Sequence, residues 1–162
     1  MAKRSAGLLV HRRSATGTTE VLLAHPGGPL WARKDAGAWS LPKGEYEADE
    51  EPLAAARREF LEELGLPAPT AEPEALGEVR LPSGKVVIAW AVEGELDVDA
   101  VVPGLFTMEW PPRSGRQQEF PEVDRVAWFD LAVARVQLAP GQVPFLDRLA
   151  AVPADAPGAV GQ

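Results

Sequence analysis

Three glutamates, Glu59, Glu62 and Glu63, stand at i, i+3 and i+4 inside residues 44–66, GEYEADEEPLAAARREFLEELGL. No other stretch constrains the chain as much. Gly44 opens a loop, and Gly65 and Pro67 stop the helix that the intervening residues predict. Between Glu51 and Leu64, the residues Leu53, Ala56, Phe60 and Leu64 recur at three- and four-residue steps and form an apolar stripe. The three glutamates share a different face of the same helix. Carboxylates held that close repel one another, and a divalent cation removes the repulsion and uses it. Hard cations such as Mg²⁺ take oxygen ligands in octahedral geometry and keep places for water and substrate phosphates. An isolated EFLEE is also what an ordinary solvated acidic face looks like. Gly44, Glu50, Arg58 and Gly65 in fixed register are not part of such a face.

Charge and composition narrow the partners. With 162 residues the chain has the length of one domain, assigned here to 1–152, and 46% hydrophobic residues suffice for a normal core. The net charge of −8 speaks against long nucleic acid, whose binding needs a basic footprint, but leaves a small polyphosphate open. Bound divalent cations invert local charge logic, and Lys43, Arg57 and Arg58 lie close to the acidic helix in sequence. There is no cysteine, which rules out disulfides and thiolate metal sites and fits a cytoplasmic location. The apolar run of MAKRSAGLLVHRR ends too early for a signal peptide, and no apolar run has transmembrane length.

Around the acidic helix the pattern alternates strands and helices. Ser5–Arg13 and Glu20–His25 read as a hairpin, Pro26–Pro29 as a loop, 30–38 as irregular and Trp39–Leu41 as a short strand. Asp49 is the expected N-cap and Pro52 suits the first helical turn. Capping accounts for much of the acidity there, so Glu45, Glu47 and Glu51 are not taken as ligands. Glu74–Leu81 and Lys85–Gly94 read as strands about a Pro82-Ser83-Gly84 turn, 95–103 as a loop, and Phe106–Trp110 as a strand. Arg113–Gln118 reads as a polar loop and Val123–Phe129 as a strand. Asp130 caps a predicted helix over 131–138, another follows over 143–152, and 153–162 has nothing to pack and is expected to be disordered. Trp90 and Trp128 fall in strands and read as core, while Trp31, Trp39 and Trp110 fall near loops.

Gly44, then Glu50 after five residues, then Arg58-Glu59-Phe60-Leu61-Glu62-Glu63-Leu64-Gly65-Leu66 after seven more, resembles a complete Nudix box. The resemblance covers 23 of 162 residues and implies an α/β (α+β) fold, an αβα sandwich with a mixed sheet between helices. It implies a hydrolase of nucleoside diphosphates linked to another moiety, dependent on Mg²⁺ or Mn²⁺. It makes Glu59 and Glu63 the direct metal ligands, with Glu62 and the Gly44 carbonyl sharing in coordination. Arg58 and Glu50 become supports, Arg58 by orienting a glutamate. In some relatives a helix glutamate activates the water and in others a loop glutamate does. Glu119, in RQQEFPE, is the loop candidate as ligand or base, against the plainer reading of Glu119 and Glu122 as solvated charges.

Lys43 could pair with a phosphate, and Arg113 and Arg116 could reach phosphates as well. The PKG preceding the box resembles dinucleoside-polyphosphate and diphosphoinositol-polyphosphate hydrolases, which makes substrates like diadenosine tetraphosphate (Ap4A) the first choice. A tyrosine shortly after the box is expected there, whereas Tyr46 lies within it. Pro82, about sixteen residues past the box, matches a feature of ADP-ribose hydrolases. Nucleoside triphosphates remain open, and a non-catalytic nucleotide-sensing module is the alternative of another class. His11 and His25 lack zinc spacing, and neither a nucleophile elbow nor a P-loop occurs.

Overall fold

Period-two alternation divides the first hairpin between two cores. In β1 (Arg4–Arg13), Ala6, Leu8 and Val10 point to one face and Leu9 to the other; in β2 (Thr19–Pro26), Leu22 and Ala24 oppose Val21 and Leu23. All are buried. A sheet apolar on both faces needs a cover on each side. This computed structural model, which describes residues 3–152, has both covers. The expected tail at 153–162 lies outside the described residues.

The remaining strands are β3 (Lys43–Glu45), β4 (Glu74–Arg80), β5 (Val86–Glu93), β6 (Leu105–Glu109), β7 (Gln117–Pro121) and β8 (Val123–Asp130). The main sheet runs β4-β5-β1-β2-β8, with β3 paired to the start of β1. β1 and β5 are parallel and the other pairings antiparallel, so the sheet is mixed as expected. Helix α1 (Pro52–Leu64) covers one face through Ala55, Ala56, Phe60 and Leu64. Helices α2 (Leu131–Gln137) and α3 (Val143–Ala150) cover the other through Ala134, Phe145, Leu146 and Leu149. The result is the αβα sandwich.

Four local expectations need correction. The cap of α1 is Glu51 rather than Asp49: its carboxylate accepts from the backbone N–H groups of Leu53 and Ala54. Pro52 disfavours helical backbone in the residue before it, so the helix starts at Pro52 and the extended Glu51 becomes the cap. Trp39 and Ser40 form only single bridges, to Leu138 and Ala24, and the strand there is Lys43–Glu45. Gln117 and Gln118, read as loop, begin β7, which pairs with β6 as a separate two-stranded ribbon. A single 3₁₀ turn, Val98–Ala100, interrupts the loop before it.

His25 is fully buried, with its ring bridging the Asp124 carboxylate at 2.7 Å and the Lys34 carbonyl at 2.5 Å. It thereby ties the loop after β2 to β8. Trp39 is core, packed edge-on against His25 and Phe129, whereas Trp31 is exposed.

Candidate active site

The start of β1 aligns β3, pairing Ala6 with Gly44 and Gly7 with Lys43. This brings the loop opening of the box against the side of α1. A Cβ on Gly44 would lie 1.9 Å from Oε1 of Glu59 and 2.1 Å from its Cδ. The glycine is therefore a seat for a carboxylate. Its partner in the motif, fifteen positions on, fills the space that any side chain would need.

Arg58 organises the acidic face. Its Nε and Nη2 donate to both oxygens of Glu50, at 2.7 and 3.0 Å, a planar fork on a planar carboxylate. Nη1 donates to Glu59 at 2.8 Å and to Glu62 at 3.0 Å. One guanidinium thus joins the loop to two of the three helix glutamates. The bond to Arg58 holds the Glu50 carboxyl below its ordinary range. A lysine, a point charge without the fork, cannot span these three partners in one plane.

Glu63 lies outside that network and differs electrostatically. Burial pushes its carboxyl up to about 8; repulsion from Glu122 and Glu59 adds to this, against the Lys43 charge and a bond from the Lys43 backbone N–H. The Lys43 ammonium is lowered, first by burial and then by Lys85, with Glu63 pulling the other way. An acid and a base, both short of water, therefore face each other across the junction of β3 and α1.

Glu122, read from the sequence as a solvated charge, stands closer to the helix glutamates than its place in the chain suggests. It is exposed overall, yet its carboxylate and the Glu62 carbonyl both lie against Gly104, and partial burial with the charges of Glu59 and Glu62 raises its carboxyl. Its backbone is fixed on both sides: its N–H donates to the Gly104 carbonyl at 2.8 Å, and its own carbonyl accepts from Gly27 at 3.0 Å. The sequence signal was only an acidic residue between two strands, with nothing to say which helix the turn would face. Glu119 lies three residues earlier on β7, exposed and opposite Thr107. No bond joins it to the helix glutamates among the described residues. Arg113 and Arg116 lie exposed in the loop joining β6 to β7, and among the described residues neither is bonded to the network that Arg58 builds.

These donors suit a hard divalent cation. They are oxygen only, Glu63 carries a charge that burial disfavours, and Gly44 leaves its backbone open to the carboxylate of Glu59. No three of them close into a ready-made cage among the described residues. An octahedral ion completed by waters and phosphate oxygens requires no such cage.

Comparison with known proteins gives the same assignment. A family model described as NUDIX domain matches residues 1–149. No curated protein matches the sequence. Among solved structures, a Nudix hydrolase from M. smegmatis, RenU, is similar at 27% identity and TM-score 0.58, over 94% of this chain and 86% of that one. A C. elegans Ap4A hydrolase binary complex is similar at 21% identity and TM-score 0.62, over 93% of this chain and 96% of that one. The NUDIX domain of Shewanella oneidensis NrtR, complexed with ADP ribose, is similar at 18% and TM-score 0.64, over 93% and 87%. A domain match spanning nearly the whole chain, on a sheet and helices that put the box glutamates together, leaves one conclusion: the chain belongs to the Nudix family and is a hydrolase of phosphoanhydride bonds.

Proposed function

We propose that the enzyme is a Mg²⁺- or Mn²⁺-dependent pyrophosphohydrolase acting on a nucleoside diphosphate linked to another moiety, with dinucleoside polyphosphates as first choice. One observation carries the reading: Arg58 ties Glu50, Glu59 and Glu62 together and leaves Glu63 desolvated among Lys43, Glu59 and Glu122. The Gly44 carbonyl, Glu59, Glu62 and Glu63 would hold the cation, with Glu122 beside them. When bound, such an ion screens the phosphate oxygens and lowers the pKa of a water.

The chain's own residues do the rest. Lys43 pairs with a phosphate oxygen, and Arg58 keeps Glu59 and Glu62 in their rotamers. Water attacks one phosphorus, the bridging P–O bond breaks, and the leaving phosphate departs with the electron pair. The water's proton goes to a carboxylate. Of the two loop acids we assign that role to Glu122, which faces the helix set, rather than Glu119 on the outer ribbon face. Arg113 and Arg116 remain candidates for outlying phosphates of a longer substrate.

The PKG sequence and the fold shared with an Ap4A hydrolase support dinucleoside polyphosphates. Pro82 and the fold shared with an ADP-ribose-bound domain support ADP-ribose as the next candidate. A cytoplasmic site of action goes with such substrates and with the cysteine-free chain. The test is a panel of diadenosine tetraphosphate, ADP-ribose and nucleoside triphosphates with Mg²⁺ or Mn²⁺, products resolved by chromatography. Preferred cleavage of diadenosine tetraphosphate is expected; preference for ADP-ribose or triphosphates overturns the choice of substrate.

A further inference from the structure

The β6–β7 ribbon stands apart from the main sheet. Its root lies at the site, where Gly104 packs against the Glu62 carbonyl and the Glu122 carboxylate. The ribbon's own bonds fix which backbone groups face outward. Glu122 N–H donates to the Gly104 carbonyl at 2.8 Å, and Trp110 N–H to the Arg116 carbonyl at 2.9 Å. Even-numbered residues of β6 therefore bond across the ribbon, and Leu105, Thr107 and Glu109 turn their N–H and C=O groups to the free edge. Among the described residues none of those outward groups is bonded.

A bare strand edge is a template for pairing, and folds guard the edges they keep single. β7 is guarded: Pro121 lacks an N–H at an outward position, and Glu119 stands at the middle of the strand. At β4, Arg148 donates to the Leu76 and Glu78 carbonyls, at 2.8 Å each. β6 carries no proline, and it complements itself. Laid antiparallel on a second β6 about Thr107, it sets Thr107 against Thr107 and Leu105 against Glu109, with no like charges opposed.

The same register brings the tip of one ribbon to the root of the other. Trp110 of one copy comes level with Gly104 of its neighbour, and the loop beyond it runs along 101–103. That root is apolar on its surface: Val102 and Leu105 are exposed, as is Leu61, one helical turn before the Gly65 against which Val102 lies. The tip offers Pro111 and Pro112 to cover them, and it carries Arg113 and Arg116. Neither arginine has an ion pair among the described residues. The tip is nonetheless firmly built. Gly115 N–H donates to the Glu109 carboxylate and the Gln118 amide to the Trp110 carbonyl, both at 2.7 Å. Arg113 is held at φ 61°, a left-handed conformation that a residue with a side chain keeps only where its surroundings impose it.

We infer that two copies of the chain pair through the β6 edge, and that each lends Arg113 and Arg116 to phosphate bound at the other's Glu59, Glu62 and Glu122. Within one chain the ribbon tip is about 17 Å along the strand from its own root, so the pairing gives the two arginines a site to serve. A guanidinium fork matches the edge of a phosphate. The arginine task rests on the proposed polyphosphate reading; the pairing does not.

The test begins with sedimentation of the full chain at micromolar concentration. The wild type is expected to be a dimer. Thr107→Lys opposes two ammonium groups at the two-fold axis and should be a monomer with the wild-type circular dichroism spectrum. The chain has no cysteine, so Thr107→Cys and Gln117→Cys each place a single thiol on one ribbon edge. A short bismaleimide should join Thr107→Cys into a covalent dimer and leave Gln117→Cys largely single. Calorimetric titration with methylene diphosphonate in Mg²⁺ reads the arginines without turnover. Arg113→Ala/Arg116→Ala should remain dimeric and bind about tenfold or more weakly than wild type. Thr107→Lys should lose as much although it keeps both arginines, and combining the three changes should lose no more. A monomeric wild type, equal cross-linking from both edges, or wild-type affinity in either Thr107→Lys or the arginine variant overturns the inference. A dimer with these affinities that cleaves no phosphoanhydride refutes the proposed activity alone.

Discussion

Gly44→Ala tests whether the loop opening of the box serves the carboxylates or only the backbone. The new methyl would sit 1.9 Å from Oε1 of Glu59, where ordinary contact begins at 3.4 Å. The carboxylate must therefore retreat by about 1.5 Å, and misplacement of about 1 Å in a reacting assembly costs on the order of 100-fold in rate. A hundredfold loss corresponds to about 2.7 kcal/mol of lost transition-state stabilisation. Stability should change much less. The atoms displaced are the end of a flexible side chain on a part-exposed helix face, so about 1 kcal/mol is the expected scale. The assay is kcat and KM in saturating Mg²⁺ beside thermal melting. Glu59→Gln serves as a second variant and Gly44→Ala/Glu59→Gln as the double. If both changes act on one group, the double falls no lower than the worse single. Turnover in Gly44→Ala within threefold of wild type, or losses that simply multiply in the double, would refute the reasoning.

Three further outcomes follow from the same geometry. With its folded pKa raised to about 8 from the ordinary 4.5, Glu63 contributes stability that is full below about pH 4.5 and lost as pH rises through about 8. The metal-free protein should melt at lower temperature at pH 8 than at pH 5, Glu63→Gln should flatten that slope, and Mg²⁺ should stabilise most at the alkaline end; a slope unchanged in Glu63→Gln contradicts the assignment. Arg58→Lys keeps the charge but loses the fork on Glu50 and the shared bonds to Glu59 and Glu62, so kcat should fall about 10- to 100-fold with near-native melting. Full activity in Arg58→Lys would show that orientation of the glutamates is unimportant. Glu122→Gln should lower kcat by at least about 100-fold and change its pH profile, while Glu119→Gln should stay within about threefold, and the reverse order would restore Glu119 as the working acid.

The box helix was legible in the sequence because its determinants are local. A 3.6-residue period puts Ala56, Phe60 and Leu64 on one face and three glutamates on another whatever the helix packs against. The Gly65 stop appears in the structure as a left-handed cap with φ 73°, again a property of one residue. The strand and turn pattern of β1 and β2 was equally local, and the two pair as the antiparallel hairpin it predicts. The cap falls on Glu51 rather than Asp49 because Pro52 holds its predecessor in extended backbone, and that restriction outweighs the better capping chemistry of Asp49. What tertiary structure alone decided are contacts between residues far apart in the chain. These are the seating of Glu59 on Gly44, the desolvation of Glu63 beside Lys43, and the different settings of Glu119 and Glu122. The last turns on the pairing of β7 with β6: Glu119 lies within the ribbon opposite Thr107, whereas Glu122, just past its end, has its backbone bonded to Gly104 and Gly27. Register depends on the partner strand and burial depends on the whole fold, so neither is written in the residues around those glutamates.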